Sequence, residues 1–184
     1  EGATSVGKGC RLGPNARIAD SRLGDGVTVE QAVVRGCELE DGVSVGPFAS
    51  LRPGSVFRAG SKPGTFVETK KTEVGRGSKI PHLSYMGDAR IGEDVNVGAG
   101  SITCNYDGRE KHPTVIEDGA FIGSDTMFIA PVRIGKGAVT GAGSAITMDV
   151  PDGALGVERS RQRNIEGYES KAKRKATEKE EGRP

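Results

Sequence analysis

The chain carries two histidines, His82 in KIPHLSYMGD and His112 in CNYDGREKHP. An imidazole titrates near neutral pH and is the natural acceptor for a proton leaving an amine or a hydroxyl. Either histidine could act as a general base, and spacing does not choose between them. Two imidazoles cannot supply the three that a carbonic-anhydrase-like zinc site needs unless a neighbouring subunit adds ligands. The cysteines Cys10, Cys37 and Cys104 are widely spaced, odd in number and without a CxxC, so neither a disulfide framework nor a zinc site is indicated. They read as small buried residues in a reducing compartment. Arg52 and Lys70 are residue types that grip phosphate, and they stand eighteen positions apart, as do the small residues Ser124 and Ala142. What those spacings mean depends on the elements that hold them.

Composition narrows those elements. The hydrophobic fraction is 34%, with 29 Gly, no Trp and 4% aromatics in 184 residues, against roughly 45–50% apolar residues in ordinary domains. A thick core is therefore excluded, but Val, Ile and Leu recur too regularly for disorder. From Thr114 to Asp149 the chain reads TVIEDG, AFIGSD, TMFIAP, VRIGKG, AVTGAG, SAITMD. The third place holds Ile116, Ile122, Phe128, Ile134, Thr140 and Ile146; the first holds Thr114, Ala120, Thr126, Val132, Ala138 and Ser144. The same beat passes through Val6, Leu12, Ile18, Leu39, Val45, Leu51, Phe57, Val74, Ile80, Ile91 and Val97. It lacks helical spacing and fits a short strand followed by a turn.

Three such sides make a coil of eighteen residues, each laying parallel strands on the last. Positions eighteen apart then stack at about 4.8 Å. On this count Ser124 and Ala142 share a corner and line a narrow groove, and Arg52 and Lys70 form a phosphate clamp. Gly123, Gly135 and Gly141 follow large residues and are expected at corners of positive φ. The repeat breaks at Ser61–Phe66 (SKPGTF) and between Cys104 and Pro113, both expected to leave the coil as surface loops. Beyond residue 150 the beat stops. A short helix is expected around Arg161–Glu169, and Lys171–Pro184 is expected to be a charged, disordered tail.

Beyond the hexads stand RPG at Arg52–Gly54, FVETKK at Phe66–Lys71, HLSYMGD at His82–Asp88, GAGSITCNYDG at Gly98–Gly108 and GSDTMFIAPV at Gly123–Val132. Together they resemble the acetyltransferase half of the bifunctional family that joins N-acetylglucosamine-1-phosphate uridylyltransferase to glucosamine-1-phosphate N-acetyltransferase. The resemblance covers nearly the whole chain up to about Tyr168. It implies an all-β, left-handed parallel β-helix of hexapeptide repeats over residues 1–150, followed by a C-terminal arm over 151–184. It implies acetyl transfer from acetyl-CoA to the amine of glucosamine 1-phosphate, a step toward UDP-N-acetylglucosamine and the bacterial cell wall. His82 matches the general base. Arg52, Lys70 and Tyr85 match residues that hold the sugar phosphate, Asn96 a sugar contact and Lys111 a further phosphate candidate. Glu68 is a candidate for orienting the base or the amine. Ala99, Asn105, Tyr106, Ser124, Ala142 and Arg159 match the acetyl-CoA site. The family also implies a homotrimer with active sites between subunits.

No metal is expected in this chain; the family's magnesium belongs to the nucleotidyltransferase domain, which this sequence does not include. With 26 Lys and Arg against 25 Asp and Glu, net charge gives no general attraction to nucleic acid or membrane. There is no apolar run of membrane-spanning length, and the start EGAT lacks a signal-peptide core and an initiator Met, as expected of a cytoplasmic protein or a fragment of one. The alternatives are a hexapeptide-repeat sugar O-acetyltransferase, or a structural β-helix without activity.

Overall fold

The computed structural model describes residues 1–168. Short strands of two to four residues follow one another around three faces, and every strand pairing is parallel. The first face is an eight-stranded sheet running from Ser5–Val6 to Val132–Ile134. The second begins as a three-stranded sheet at Arg11–Leu12 and continues as a six-stranded sheet ending at Leu155–Gly156. Ser44 and Gly46 donate backbone N–H groups to the carbonyls of Ser61 and Pro63, so the ladder crosses that boundary. The third face is an eight-stranded sheet from Arg17–Ala19 to Ala145–Ile146. This parallel β-solenoid accords with the left-handed β-helix implied by the resemblance.

Each side contributes two inward residues, one small and one large. Thr114, Ala120, Thr126, Ala138 and Ser144 are as buried as Ile116, Ile122, Phe128 and Ile134. A narrow triangular interior is filled by such a pair at close-packed density, which explains the low apolar fraction. Inward hydroxyls bond to each other or to backbone: Thr126 Oγ1 lies 2.9 Å from Thr140 Oγ1, and Thr72 Oγ1 donates to the Met86 carbonyl at 2.8 Å.

Four expectations need correction. Coils are not uniformly eighteen residues: Ser5 pairs with Arg22, Arg22 with Glu38, and Glu38 with Val56, steps of 17, 16 and 18. SKPGTF does not leave the coil, because Lys62–Thr65 is a strand pairing with Lys79–His82, with Pro63 facing inward. Proline removes a donor, but the Pro63 carbonyl still accepts from Gly46 at 3.0 Å and the ladder survives. Gly123, Gly135 and Gly141 do not have positive φ; that conformation falls two places later, at Asp125, Gly137 and Gly143. Gly123 and Gly135 are required for space, since a Cβ on either would stand 2.5 Å from the backbone nitrogen of Ala142 or Asp152 in the next coil. Finally, residues 161–168 form no helix, their only feature being a turn at Glu166–Gly167, and the tail expected from Lys171 onward lies outside the described residues.

The break after Cys104 does leave the coil. Arg90 pairs with Val115, a step of 25 residues, so the excursion emerges at the corner between the third and first faces.

Candidate active site

The corner between the second and third faces gathers one set of expected residues. Lys79 pairs with Asn96, Asn96 with Phe121, Val97 with Ile122, and Ile122 with Thr140. Carried two or three places along each coil, that register stacks His82, Ala99, Ser124 and Ala142 in one column. Backbone bonds support the upper part: Asp125 donates to Ala99 at 2.7 Å, and Gly143 to Ser124 at 2.8 Å. Ser124, Ala142 and His82 are exposed, so the column is an open groove of small side chains with an imidazole at one end. The His82 ring makes no hydrogen bond among the described residues, while its carbonyl accepts from Ser84 Oγ at 2.8 Å. At the other end Arg159 folds back, and its Nη1 donates to the Ala142 carbonyl at 2.9 Å.

A second set lies across the third face. Leu51 pairs with Thr69, so Arg52 and Lys70 are neighbours on adjacent strands, as counting by eighteen implied. Arg52 Nη1 meets Glu68 Oε1 at 2.9 Å in a half-exposed pair, worth roughly 0–1 kcal/mol and easily exchanged for another anion. Lys70 has a different neighbour. Lys111, brought over by the excursion, is the main group that lowers the Lys70 pKa below the ordinary 10.5, with slight desolvation adding to the effect. Two neighbouring ammoniums favour a bound anion.

Gly87 stands beside Lys70 on the next strand of the face. A Cβ there would overlap the Tyr85 hydroxyl and stand 2.7 Å from Asn105 Nδ2. Asn105, 7% exposed, donates that Nδ2 to Asp88 Oδ2 at 2.6 Å. Tyr85 and Asn105 thus meet in space left by a missing side chain. Tyr106 is 59% exposed on the excursion and bridges to Lys111 in antiparallel fashion.

A profile of the bacterial transferase hexapeptide (six repeats) family matches residues 113–147. The Bifunctional protein GlmU of Heliobacterium modesticaldum is 58% identical over 168 residues, which is 91% of this chain and 37% of that protein. The protein of the same name from Thermotoga maritima is 55% identical over 168 residues, covering 91% of this chain and 38% of that one. The chain corresponds to part of GlmU. It spans little more than a third of these relatives' length. A solved structure of the polySia specific acetyltransferase NeuO matches at TM-score 0.50 and 18% identity, over 96% of this chain and 91% of that one, a likeness of fold alone.

Of the residues implied by the likeness to GlmU, one chain brings together Ala99, Ser124, Ala142 and Arg159, and separately Arg52, Lys70, Tyr85, Asn105 and Lys111. It does not bring Asn96 to either. Asn96 points outward on the second face between Lys79 and Phe121. His82 precedes the corner at Leu83, whereas Lys70 pairs with Gly87 beyond it, so the imidazole and the lysines stand at opposite edges of the third face. Gly87 and Asp88 were not singled out from the sequence, although both belong to HLSYMGD. Their signal is a glycine flanked by functional types, and its reason is visible only once Asn105 is seen to return beside it.

Proposed function

We propose that this chain transfers the acetyl group of acetyl-CoA to the amine of glucosamine 1-phosphate, giving N-acetylglucosamine 1-phosphate and free CoA. The observation that carries this reading is the small-residue column Ala99, Ser124 and Ala142 ending on an imidazole, His82, that is unpaired among the described residues, in a chain with extensive identity to GlmU. An ammonium has no lone pair and cannot attack a thioester. His82 takes one amine proton as the nitrogen–carbon bond forms; the carbon–sulfur bond then breaks, and the CoA thiolate leaves and picks up a proton. Arg52, Lys70 and Lys111 hold the sugar phosphate, with Tyr85 and Asn96 on the sugar. Arg159 offers a guanidinium to the cofactor's phosphates, and Asn105 and Tyr106 border the thioester.

The gap between His82 and the lysines, and the place of Asn96 on another face, favour a site completed by a second copy. We therefore read a homotrimer with active sites between subunits. The full-length protein is read as adding a uridylyltransferase with its own magnesium site, working in the cytoplasm and making UDP-N-acetylglucosamine for the cell wall. Incubating the chain with acetyl-CoA and glucosamine 1-phosphate and following free thiol against a sugar-free blank tests the reading. Thiol release with N-acetylglucosamine 1-phosphate as product is expected; no release from folded, trimeric protein overturns it. Equal acetylation of a sugar lacking the amine favours the O-acetyltransferase instead.

A further inference from the structure

The excursion Asn105–Pro113 is organised around one carboxylate whose hydrogen bonds among the described residues all lie within it. Asp107 Oδ1 accepts the backbone N–H groups of Arg109 at 2.8 Å and Glu110 at 2.7 Å, and Oδ2 lies 2.7 Å from His112 Nε2. Asp107 N–H donates to the Glu110 carbonyl at 3.2 Å, His112 N–H donates to the Asn105 carbonyl at 2.8 Å, and Tyr106 bridges Lys111. These bonds make a closed hairpin whose last arm carries Lys111 to Lys70. The charged groups around that meeting are Lys70, Lys71, Asp88 and Lys111 from the coils and hairpin, with Arg109 and Glu110 at its tip. Asp88 is engaged by Asn105, and Arg52 by Glu68. Two ammoniums do not approach each other unaided, so something else must hold Lys111 there.

We propose that Asp107, with His112 as its partner, is a positioning residue for the acyl acceptor: its carboxylate folds the hairpin that sets Lys111 against Lys70 as a two-ammonium seat for the acceptor's phosphate. This rests on the acetyl-transfer reading above. His112 stands on the hairpin at the far edge of the third face from the small-residue column, with its Nε2 on Asp107. The Asp107 carboxyl is held well below the usual carboxylate range, first by the Glu110 N–H and then by His112, so the anchor stays ionised at working pH. The Asp107 bonds lie within the hairpin, which meets the coils through Asn105 and Asp88, so loss of the Asp107 carboxylate should leave the coils intact.

The experiment is a double-mutant cycle on the trimer with a protease arm. Asp107→Ala is expected to raise KM for glucosamine 1-phosphate roughly tenfold with kcat changed less than about threefold. Asp107→Asn keeps the Oδ1 acceptor and should recover most of that loss. Lys111→Ala should raise the same KM to a similar degree, and adding Asp107→Ala to it should cost nothing further. Trypsin should cut after Arg109 faster in Asp107→Ala than in the parent, mapped by mass spectrometry. An unchanged KM, an Asp107→Ala effect that persists in full without Lys111, or unaltered cleavage each overturns the proposal. If the parent does not acetylate glucosamine 1-phosphate, the functional reading fails by itself, and the protease arm still decides whether Asp107 folds the hairpin.

Discussion

Placing one methyl group on Gly87 tests the site more sharply than removing any side chain from it. Gly87 is buried in the third face, and its N–H donates to Thr103 Oγ1 at 2.7 Å. Its φ is not in the left-handed region, so Gly87→Ala strains no backbone and asks only about space. A Cβ would overlap the Tyr85 hydroxyl and lie 2.7 Å from Asn105 Nδ2, closer than real Cβ contacts are sustained. Tyr85 can swing outward, but Asn105 is almost fully buried and must give up or distort its 2.6 Å bond to Asp88. A hydrogen bond to a charged partner contributes about 1.5–3 kcal/mol. At 1.36 kcal/mol per decade, kcat/KM should fall roughly 10- to 150-fold. Both substrates should be affected, because Tyr85 is assigned to the phosphosugar and Asn105 to acetyl-CoA.

The fold should survive this change. Overpacking costs about 1–3 kcal/mol, which at a few degrees per kcal/mol in a domain of this size lowers Tm by roughly 2–10 °C. The assay is thiol release with each substrate varied in turn, beside a thermal melt. A cooperative melt near the parent's with kcat/KM within about threefold would refute the claim that Gly87 makes room for both groups.

Further tests address other parts of the reading. His82→Ala should keep the parent's oligomeric state and melting temperature and lose about 10²–10⁴ in kcat; retained turnover removes His82 as the base. Because Lys111 lowers the Lys70 pKa below 10.5, phosphosugar affinity should weaken as pH rises through that lowered value and Lys70 loses its charge. Lys111→Ala should move this alkaline limb of the KM profile back up toward 10.5, and an unmoved limb would refute the pairing. Ala142→Leu should raise KM for acetyl-CoA by roughly tenfold while leaving that for glucosamine 1-phosphate unchanged, since an isobutyl group obstructs the column and not the lysines; equal effects would refute the division of the site. Burial pushes the Cys37 thiol up to about 11, so iodoacetamide at pH 8.5 should spare it in native protein and label it in urea.

The interior of the prism was legible in the sequence because it depends on local pattern alone. Leu39, Val45, Leu51 and Phe57 are spaced by six, and all four are buried. Where several parts of the structure compete, sequence was a poorer guide. SKPGTF has the composition of a loop, yet Pro63 stays in the ladder because its carbonyl, the group the previous coil needs, is intact. The glycines after the large residues are required at those places by crowding and not by positive φ. The next coil's backbone leaves no room for a Cβ at Gly123, and that coil is invisible to a reading along one strand. The arm at 161–168 has helix-forming residues but is exposed, with nothing among the described residues packed on it, and short helices without tertiary support are marginal.

Counting by eighteens succeeded for Ser124 over Ala142 and for Arg52 beside Lys70 although most coils are not eighteen long, and the reason bears on how such a site tolerates change. The steps down the functional corner are 17 from His82 to Ala99, 25 to Ser124 and 18 to Ala142. What is constant is the inward pair of a small and a large residue, with the small one opening the next side at Ser84, Ser101, Thr126 and Ser144, while the spacing between pairs varies. Residues are dropped or added at the corners, and register is restored wherever the next pair of inward side chains enters the prism. The excursion after Cys104 therefore adds its residues at the far corner of the third face, where they bring Asn105, Asp107 and Lys111 to the site, without shifting Ser124 from above Ala99. Lengthening or shortening that hairpin should alter acceptor affinity while leaving the acetyl-CoA column aligned. A deletion within Gly108–Lys111 that weakened both equally would show that the column depends on the hairpin after all.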